Sequence, residues 1–251
     1  MEVVITDHPE LVVADAVAEA VTGGATTLGL ATGSSPLPTY RELIRRHRDE
    51  GLSFAGVTAV LLDEYVGLPA DHPESYTRFI HDNFTGHIDI GDVHLPDTMA
   101  ADPRAAARDY DELIGRVGPV DVQILGIGSN GHIGFNEPSS SLTSRTRLKT
   151  LAHKTRMDNA RFFDSLDDVP RHAITQGLGT ITDARRLVLV ATGEGKAAAI
   201  AAAVEGPLSA SCPASILQWH AHATVVVDRA AAIKLRDVEY YLNAYENKLA
   251  P

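Results

Sequence analysis

The chain has 251 residues, 44% of them apolar and 22% charged, with a formal net charge of -11. This suits one large α/β domain or two small ones of ordinary globular composition. The acidic balance argues against general nucleic-acid binding, which needs a basic face, and a single cysteine, Cys212, excludes a disulfide framework or thiolate metal cage within the chain.

Residues 1–5 lack the basic head and long apolar core of a secretion signal. No run approaches the roughly 18 apolar residues of a membrane span. A soluble cytoplasmic protein with no membrane partner is expected. Residues 3–5 read as a first strand. Residues 9–21 read as a helix, with Leu11, Val12, Ala14, Val17, Ala18 and Val21 at helical spacing before Gly23-Gly24. A strand at 26–31 runs into Thr32-Gly33-Ser34-Ser35-Pro36, and a helix follows at 38–48. Small residues between a strand and a helix let backbone N–H groups converge on an anion, with the hydroxyls of Thr32, Ser34 and Ser35 as further donors. No Gly-Lys-Ser/Thr follows, so this is not a nucleotide P-loop, and an ordinary strand–helix turn is the competing reading.

Residues 54–62 read as an apolar strand that ends at Asp63-Glu64-Tyr65. The two acids are either turn formers or a carboxylate pair facing a cleft for base chemistry. Helices are expected at 71–84 and 102–117. A buried strand at 120–125 then ends in Gly126-Ile127-Gly128-Ser129-Asn130-Gly131-His132-Ile133-Gly134-Phe135-Asn136-Glu137-Pro138. Parallel sheets carry their chemistry just beyond the carboxyl ends of such strands. A histidine there moves protons near neutral pH, and a nearby carboxylate orients and charge-stabilises it. The glycines imitate a dinucleotide fingerprint, but Pro138 cuts off the required helix, and no acid stands between Glu137 and Asp158 to hold a ribose. A metal bound by His132, Glu137 and Asp63 has no helical ligand spacing to support it. A serine nucleophile would want Gly-x-Ser-x-Gly, which Ser129 lacks. Neither metal nor cofactor is expected.

Beyond Pro138, residues 139–161 hold Arg145, Arg147, Lys149, Lys154, Arg156 and Arg161 against a single acid, Asp158. This is either a solvated loop or one or two anion pockets. Residues 157–163 suggest a short helix in a mobile flap, and 173–184 a loop with a helical turn. A strand at 186–191 leads through Thr192-Gly193-Glu194-Gly195-Lys196 to an Ala-rich helix at 196–204. A lysine at a helix N-terminus opposes the macrodipole, so Lys196 suggests a bound anion. A last strand at 224–227 precedes a helix at 233–249 carrying Tyr240, Tyr241 and Tyr245. The alternation implies a single domain over 1–251, a three-layer α/β/α fold with a mostly parallel, Rossmann-like sheet.

Leu28-Gly29-Leu30-Ala31-Thr32-Gly33-Ser34-Ser35-Pro36, Leu62-Asp63-Glu64-Tyr65-Val66-Gly67-Leu68 and the turn from Gly126 to Pro138 together resemble the glucosamine-6-phosphate deaminase family. Ser144-Arg145-Thr146-Arg147-Leu148-Lys149-Thr150 and Gly193-Glu194-Gly195-Lys196 match in the same order, and the similarity spans essentially the whole chain. The resemblance implies conversion of glucosamine 6-phosphate and water to fructose 6-phosphate and ammonium. It implies Asp63 as the base between C2 and C1, and His132 with Glu137 as the ring-opening shuttle. The substrate phosphate would rest on Thr32, Gly33, Ser34 and Ser35, with Lys196 and Arg161 adding charge. It also implies an effector site for N-acetylglucosamine 6-phosphate at Met1, Ser140, Arg147, Lys149 and Tyr240, a homo-oligomer with a hexamer in view, and a mobile lid at 151–174. Many members carry Asp where this chain has Asn130, and an amide can only orient His132 by hydrogen bonding. A 6-phosphogluconolactonase and a non-catalytic sugar-phosphate sensor are the alternatives.

Overall fold

The computed structural model describes residues 1–248, the side chains of Lys154 and Asp158 excepted. Leu249, the expected end of the last helix, lies outside the described residues. The elements are β1 (Glu2–Ile5), α1 (Pro9–Thr22), β2 (Thr27–Leu30), α2 (Leu37–Glu50), β3 (Thr58–Leu61), β4 (Asp63–Tyr65), α3 (Tyr76–Asn83), β5 (Val93–His94) and α4 (Pro103–Val117). They continue with β6 (Val122–Leu125), β7 (Arg147–Thr150), α5 (His153–Asn159), β8 (His172–Thr175), α6 (Leu178–Thr182), β9 (Arg186–Ala191), α7 (Ala197–Val204), β10 (Ala223–Val227), α8 (Arg229–Ala232) and α9 (Val238–Glu246).

Seven strands form the main sheet in the order β1-β10-β9-β6-β2-β3-β5, and every neighbouring pair is parallel. β2 and β6 are buried along their whole length, as strands covered on both faces must be, and this explains their near-continuous apolar sequences. Burying each Leu or Ile side chain there contributes roughly 1.5–3 kcal/mol. From β2 the chain winds outward through β3 and β5, then returns to β6 and winds the other way through β9 and β10. The strand order therefore reverses between β2 and β6, and a crevice opens beyond their carboxyl ends, where ligands bind in sheets of this kind. Among the described residues no helix is long and apolar enough to cross a membrane.

A second sheet, β4-β8-β7, is antiparallel and departs from the sequence expectation. Residues 147–150 fall in the expected basic loop and 172–175 in or beside another loop, yet both are strands, and Asp63 sits opposite Thr175 rather than in a simple turn. The sheet closes over a small core of Tyr65, Leu68, Phe135, Leu151 and Ala173. Two expected helices are also trimmed. α3 begins at Tyr76, because the Ser75 hydroxyl accepts the Arg78 N–H at 3.0 Å and caps it there. The expected helix at 233–249 is only α9, the preceding turn of helix being the separate α8.

Candidate active site

A cavity of about 480 Å³ opens at the reversal of strand order. Thr32, Gly33, Ser34, Ser35, Asp63, His132, Arg161 and Lys196 all line it, although the sequence scatters them over more than 160 positions. The loop after β2 is anchored from below by a residue that sequence reasoning missed. The buried Tyr40 hydroxyl accepts the Ala31 N–H at 3.1 Å and donates to the Ala31 carbonyl at 2.7 Å. Gly33 adopts a φ of +97°, a region open to glycine that lets the loop turn back over the crevice.

The adjacent acids Asp63 and Glu64 separate because successive side chains of a strand point to opposite faces. Glu64 turns away from the cavity and serves the fold. It accepts the Tyr65 N–H at 2.9 Å, the Tyr76 N–H at 3.0 Å, and the Thr77 N–H and hydroxyl at 2.8 and 3.1 Å. A carboxylate there satisfies the orphan donors at the start of α3 and complements the helix dipole. Asp63 turns into the cavity and is 5% exposed. The Thr175 hydroxyl stands 3.5 Å from its Oδ2. Burial pushes the Asp63 carboxyl up to about 8, the Glu64 charge adds to the rise, and the Thr175 contact opposes it. A carboxylate whose proton affinity reaches the neutral range is a strong base in a site that shields it from water.

The turn after β6 is held by its own backbone. The Gly128 N–H donates to the His132 carbonyl at 2.9 Å, and the Gly131 N–H to the Gly128 carbonyl at 3.0 Å. The imidazole lies directly against Gly128, where a Cβ would stand 2.2 Å from the ring. Asn130 joins His132 and Glu137. Its Oδ1 accepts the His132 N–H at 3.2 Å, and its Nδ2 donates to Glu137 Oε2 at 2.7 Å. That same Glu137 oxygen is 3.8 Å from His132 Nδ1. The other Glu137 oxygen accepts the Thr155 hydroxyl. Asn130 and Glu137 therefore stand behind His132 and not on the cavity wall. Asn136, also unmarked by the sequence, pins the turn to β8 by donating to the Ile133 and Gln176 carbonyls at 2.9 and 2.8 Å.

The basic stretch divides by function. Arg145 pairs with Asp111 at 3.1 Å and Asp183 at 2.5 Å, and Arg156 donates to the Leu166 and Val169 carbonyls, so both are structural. Arg161 lies 4.6 Å over the Phe162 ring at the cavity. Lys196 reaches across to donate to the Ile127 carbonyl at 2.7 Å, which takes its charge away from the start of α7 and toward the turn after β6. Arg147 reaches the Ser140 hydroxyl at 3.3 Å. Burial lowers the Arg147 guanidinium below its ordinary value, and burial together with the Arg147 charge lowers the Lys149 amine. Ser140, Arg147 and Lys149 thus gather outside the cavity. Exposed Met1 and Tyr240 lie instead at the β1 edge, where α9 packs. Among the described residues no hydrogen bond or ion pair joins the two sets, and no three His, Cys, Asp or Glu side chains are grouped to hold a metal ion.

A family model described as glucosamine-6-phosphate isomerases/6-phosphogluconolactonase matches residues 2–226. A Corynebacterium kroppenstedtii protein named glucosamine-6-phosphate deaminase is 62% identical over 253 residues, covering 99% of this chain and 98% of that one. A solved structure of a monomeric glucosamine-6-phosphate deaminase matches with a TM-score of 0.90 at 43% identity, over 93% of this chain and 100% of the other. A 6-phosphogluconolactonase from Thermotoga maritima matches with a TM-score of 0.71 at 17% identity, over 91% of this chain and 100% of the other, and shares the fold alone.

Proposed function

The chain belongs to the family of glucosamine-6-phosphate isomerases and 6-phosphogluconolactonases, and we propose that it converts glucosamine 6-phosphate and water to fructose 6-phosphate and ammonium. One observation carries this choice within the family: a buried carboxylate of raised proton affinity, Asp63, faces the same cavity as His132. Hydrolysis of a lactone removes no proton from carbon, so a base there serves only to activate water, whereas an aldose–ketose conversion through an enolamine needs a base at C2.

The phosphate rests on the loop 32–35, with Lys196 and Arg161 adding positive charge, and the sugar ring points toward His132. The closed pyranose must first move a proton from its anomeric hydroxyl to the ring oxygen. His132 carries that proton, and Glu137 stabilises the imidazolium that forms in between. Asp63 then takes the proton from C2 as O1 gains one, giving a cis-enolamine, and returns it to C1 as the nitrogen loses one, giving a 2-imine. The proton lost by nitrogen balances the one gained by O1. Water adds at C2 and ammonia departs. C1 is reduced as C2 is oxidised, so no external oxidant or reductant is needed, and Asp63 and His132 each finish in the state in which they began. Residues 151–174 act as a lid over the cavity. The phosphorylated substrate fits a cytoplasmic enzyme. With the catalytic groups intact, a purely sensory role is not favoured.

Purified protein offered glucosamine 6-phosphate and 6-phosphogluconolactone in parallel tests the assignment. Ammonium from the first, with lactone loss at its spontaneous rate, is expected. Rapid lactone hydrolysis without ammonium release would overturn it.

Asn130 tunes the relay. Asn130→Asp would set a second carboxylate against Glu137, and two close carboxylates repel when both are charged. That repulsion replaces the 2.7 Å hydrogen bond between Asn130 and Glu137, so both the rate and the pH dependence of kcat/KM should change. An unchanged rate and an unchanged profile would remove any catalytic role for this position.

Ser140, Arg147 and Lys149 are assigned to an effector site for N-acetylglucosamine 6-phosphate, completed by Met1 and Tyr240 of an adjoining subunit in a homo-oligomer, a hexamer in the fullest form. The half-buried Arg147, which pairs with no acid among the described residues, supports this, since guanidinium groups suit phosphate. Substrate dependence should be sigmoidal and become hyperbolic when the N-acetylated sugar phosphate is added. Hyperbolic kinetics indifferent to it would exclude the effector site.

A further inference from the structure

The helix α5 meets the walls of the cavity through two side chains four residues apart, and therefore on one face of the helix. Thr155 and Asn159 both line the cavity. Asn159 Nδ2 donates to the Tyr65 hydroxyl at 2.7 Å. Tyr65 is two positions beyond Asp63 on β4, which ties the end of α5 to the strand carrying the base. The buried Thr155 donates its hydroxyl to Glu137 Oε1. The two oxygens of Glu137 thus answer to different parts of the chain. Oε2 takes the Asn130 amide at 2.7 Å and faces His132 Nδ1 at 3.8 Å. Oε1 takes a hydroxyl that arrives only with α5.

One hydrogen bond leaves a carboxylate free to turn about its terminal bond, whereas a second, from the opposite side, fixes its plane. With an amide at position 130, no second acid in the turn competes for the Thr155 hydroxyl. Lys149 on β7 also acts on Glu137, and a flexible amine attracts the carboxylate without setting its plane. We propose that Thr155 is a positioning residue for the Glu137–His132 pair, so that ring opening requires α5 to be seated over the cavity. This rests on the deaminase assignment above and adds to it a condition: the ring-opening relay is complete only when the site is covered.

The test compares wild type with Thr155→Val, which keeps the shape and removes the hydroxyl, and with Thr155→Ser, which restores it. Ammonium release gives kcat and KM. The open-chain amino alcohol 2-amino-2-deoxyglucitol 6-phosphate, used as a competitive inhibitor, reports cavity binding without ring opening. For Thr155→Val, kcat should fall about tenfold to a hundredfold with the acid limb of its pH profile displaced. KM and the inhibitor constant should stay within about threefold, since ground-state binding is untouched. Thr155→Ser should recover both kcat and profile. A Thr155→Val enzyme with wild-type kcat and profile would overturn the proposal, as would a loss borne only by KM and inhibitor affinity. Should the valine variant fail to fold, Thr155→Ala against Thr155→Ser asks the same question, and equal activity of the two is the contrary result. Wild-type ammonium release is the separate test of the parent assignment, so a failure of either is distinguishable.

Discussion

Asp63→Asn should lose ammonium release by about 10²–10⁴-fold, the range expected when a positioned general base is removed, while making the protein more stable at pH 8. The two effects share one cause. In the folded chain the Asp63 carboxyl is pushed up to about 8 by burial, whereas in the unfolded chain it titrates near 3.9. Between those values the folded state holds a proton that the unfolded state has released. Stability contributed by this group is therefore fully present below about pH 4 and is lost as pH rises toward 8. At about 1.4 kcal/mol per unit, this amounts to several kcal/mol at the upper end. The asparagine variant has no proton to lose, so its advantage in Tm over wild type should grow from pH 4 to pH 8 and then level off. The same ionisation sets the activity of wild type. Asp63 must be unprotonated to accept the C2 proton, so kcat/KM should climb roughly tenfold between pH 7 and its plateau above 8. A variant that keeps its rate, or one whose stability follows wild type at every pH, would contradict this account of Asp63.

Gly128→Ala should be nearly as damaging to catalysis with a smaller effect on the fold. The added Cβ would stand 2.2 Å from His132 Cε1 and 2.4 Å from both ring nitrogens, so the imidazole must move by about 1 Å to reach ordinary contact. A displacement of that size at a reacting group costs about 10²-fold in rate. The backbone at 128 is not among the left-handed glycines, so alanine meets no conformational penalty there. The cost in stability is that of a local overpacking, about 1–3 kcal/mol. Gly115→Ala is the matched control, since a Cβ there meets nothing within 4 Å and lies inside α4. It should leave activity alone and raise stability by roughly 0.5–1 kcal/mol. Measured kcat for the two variants side by side separates the loss of His132 alignment from any general effect of adding a methyl group.

The main sheet, apart from its short half-buried edge strand β5, was legible because its inner strands are buried on both faces. β6 reads Val122-Gln123-Ile124-Leu125 and β9 reads Arg186-Leu187-Val188-Leu189-Val190-Ala191, runs that suggest buried strands before any partner is known. The turn after β6 and the loop after β2 declare themselves by glycine and small hydroxyl residues. The second sheet does not declare itself. β4 is three residues long, and β7 alternates Arg147 and Lys149 with Leu148 and Thr150, so it looks like a basic loop. Its pairing joins Asp63 to Thr175, far apart in the chain, and only the tertiary fold brings them together. For the same reason spacing and residue type alone did not separate Asp63 from Glu64, and only the family resemblance singled out Asp63. Both are acids at a strand end, and only the placement of α3 makes one a helix cap and leaves the other facing the cavity. Asn130 stood out only because many members of the resembling family carry Asp there, and the Thr155 contact with Glu137 depends on where α5 lies and has no local signal.

The central claim, that Asp63 moves a proton from C2 to C1 of an opened aminosugar phosphate, is tested most directly with glucosamine 6-phosphate deuterated at C2. Wild type should yield ammonium and fructose 6-phosphate in equal amounts, with part of the deuterium on C1 of the product, and Asp63→Asn should yield both at least about a hundredfold more slowly. No ammonium from wild type, or ammonium from Asp63→Asn at the wild-type rate, would contradict the account.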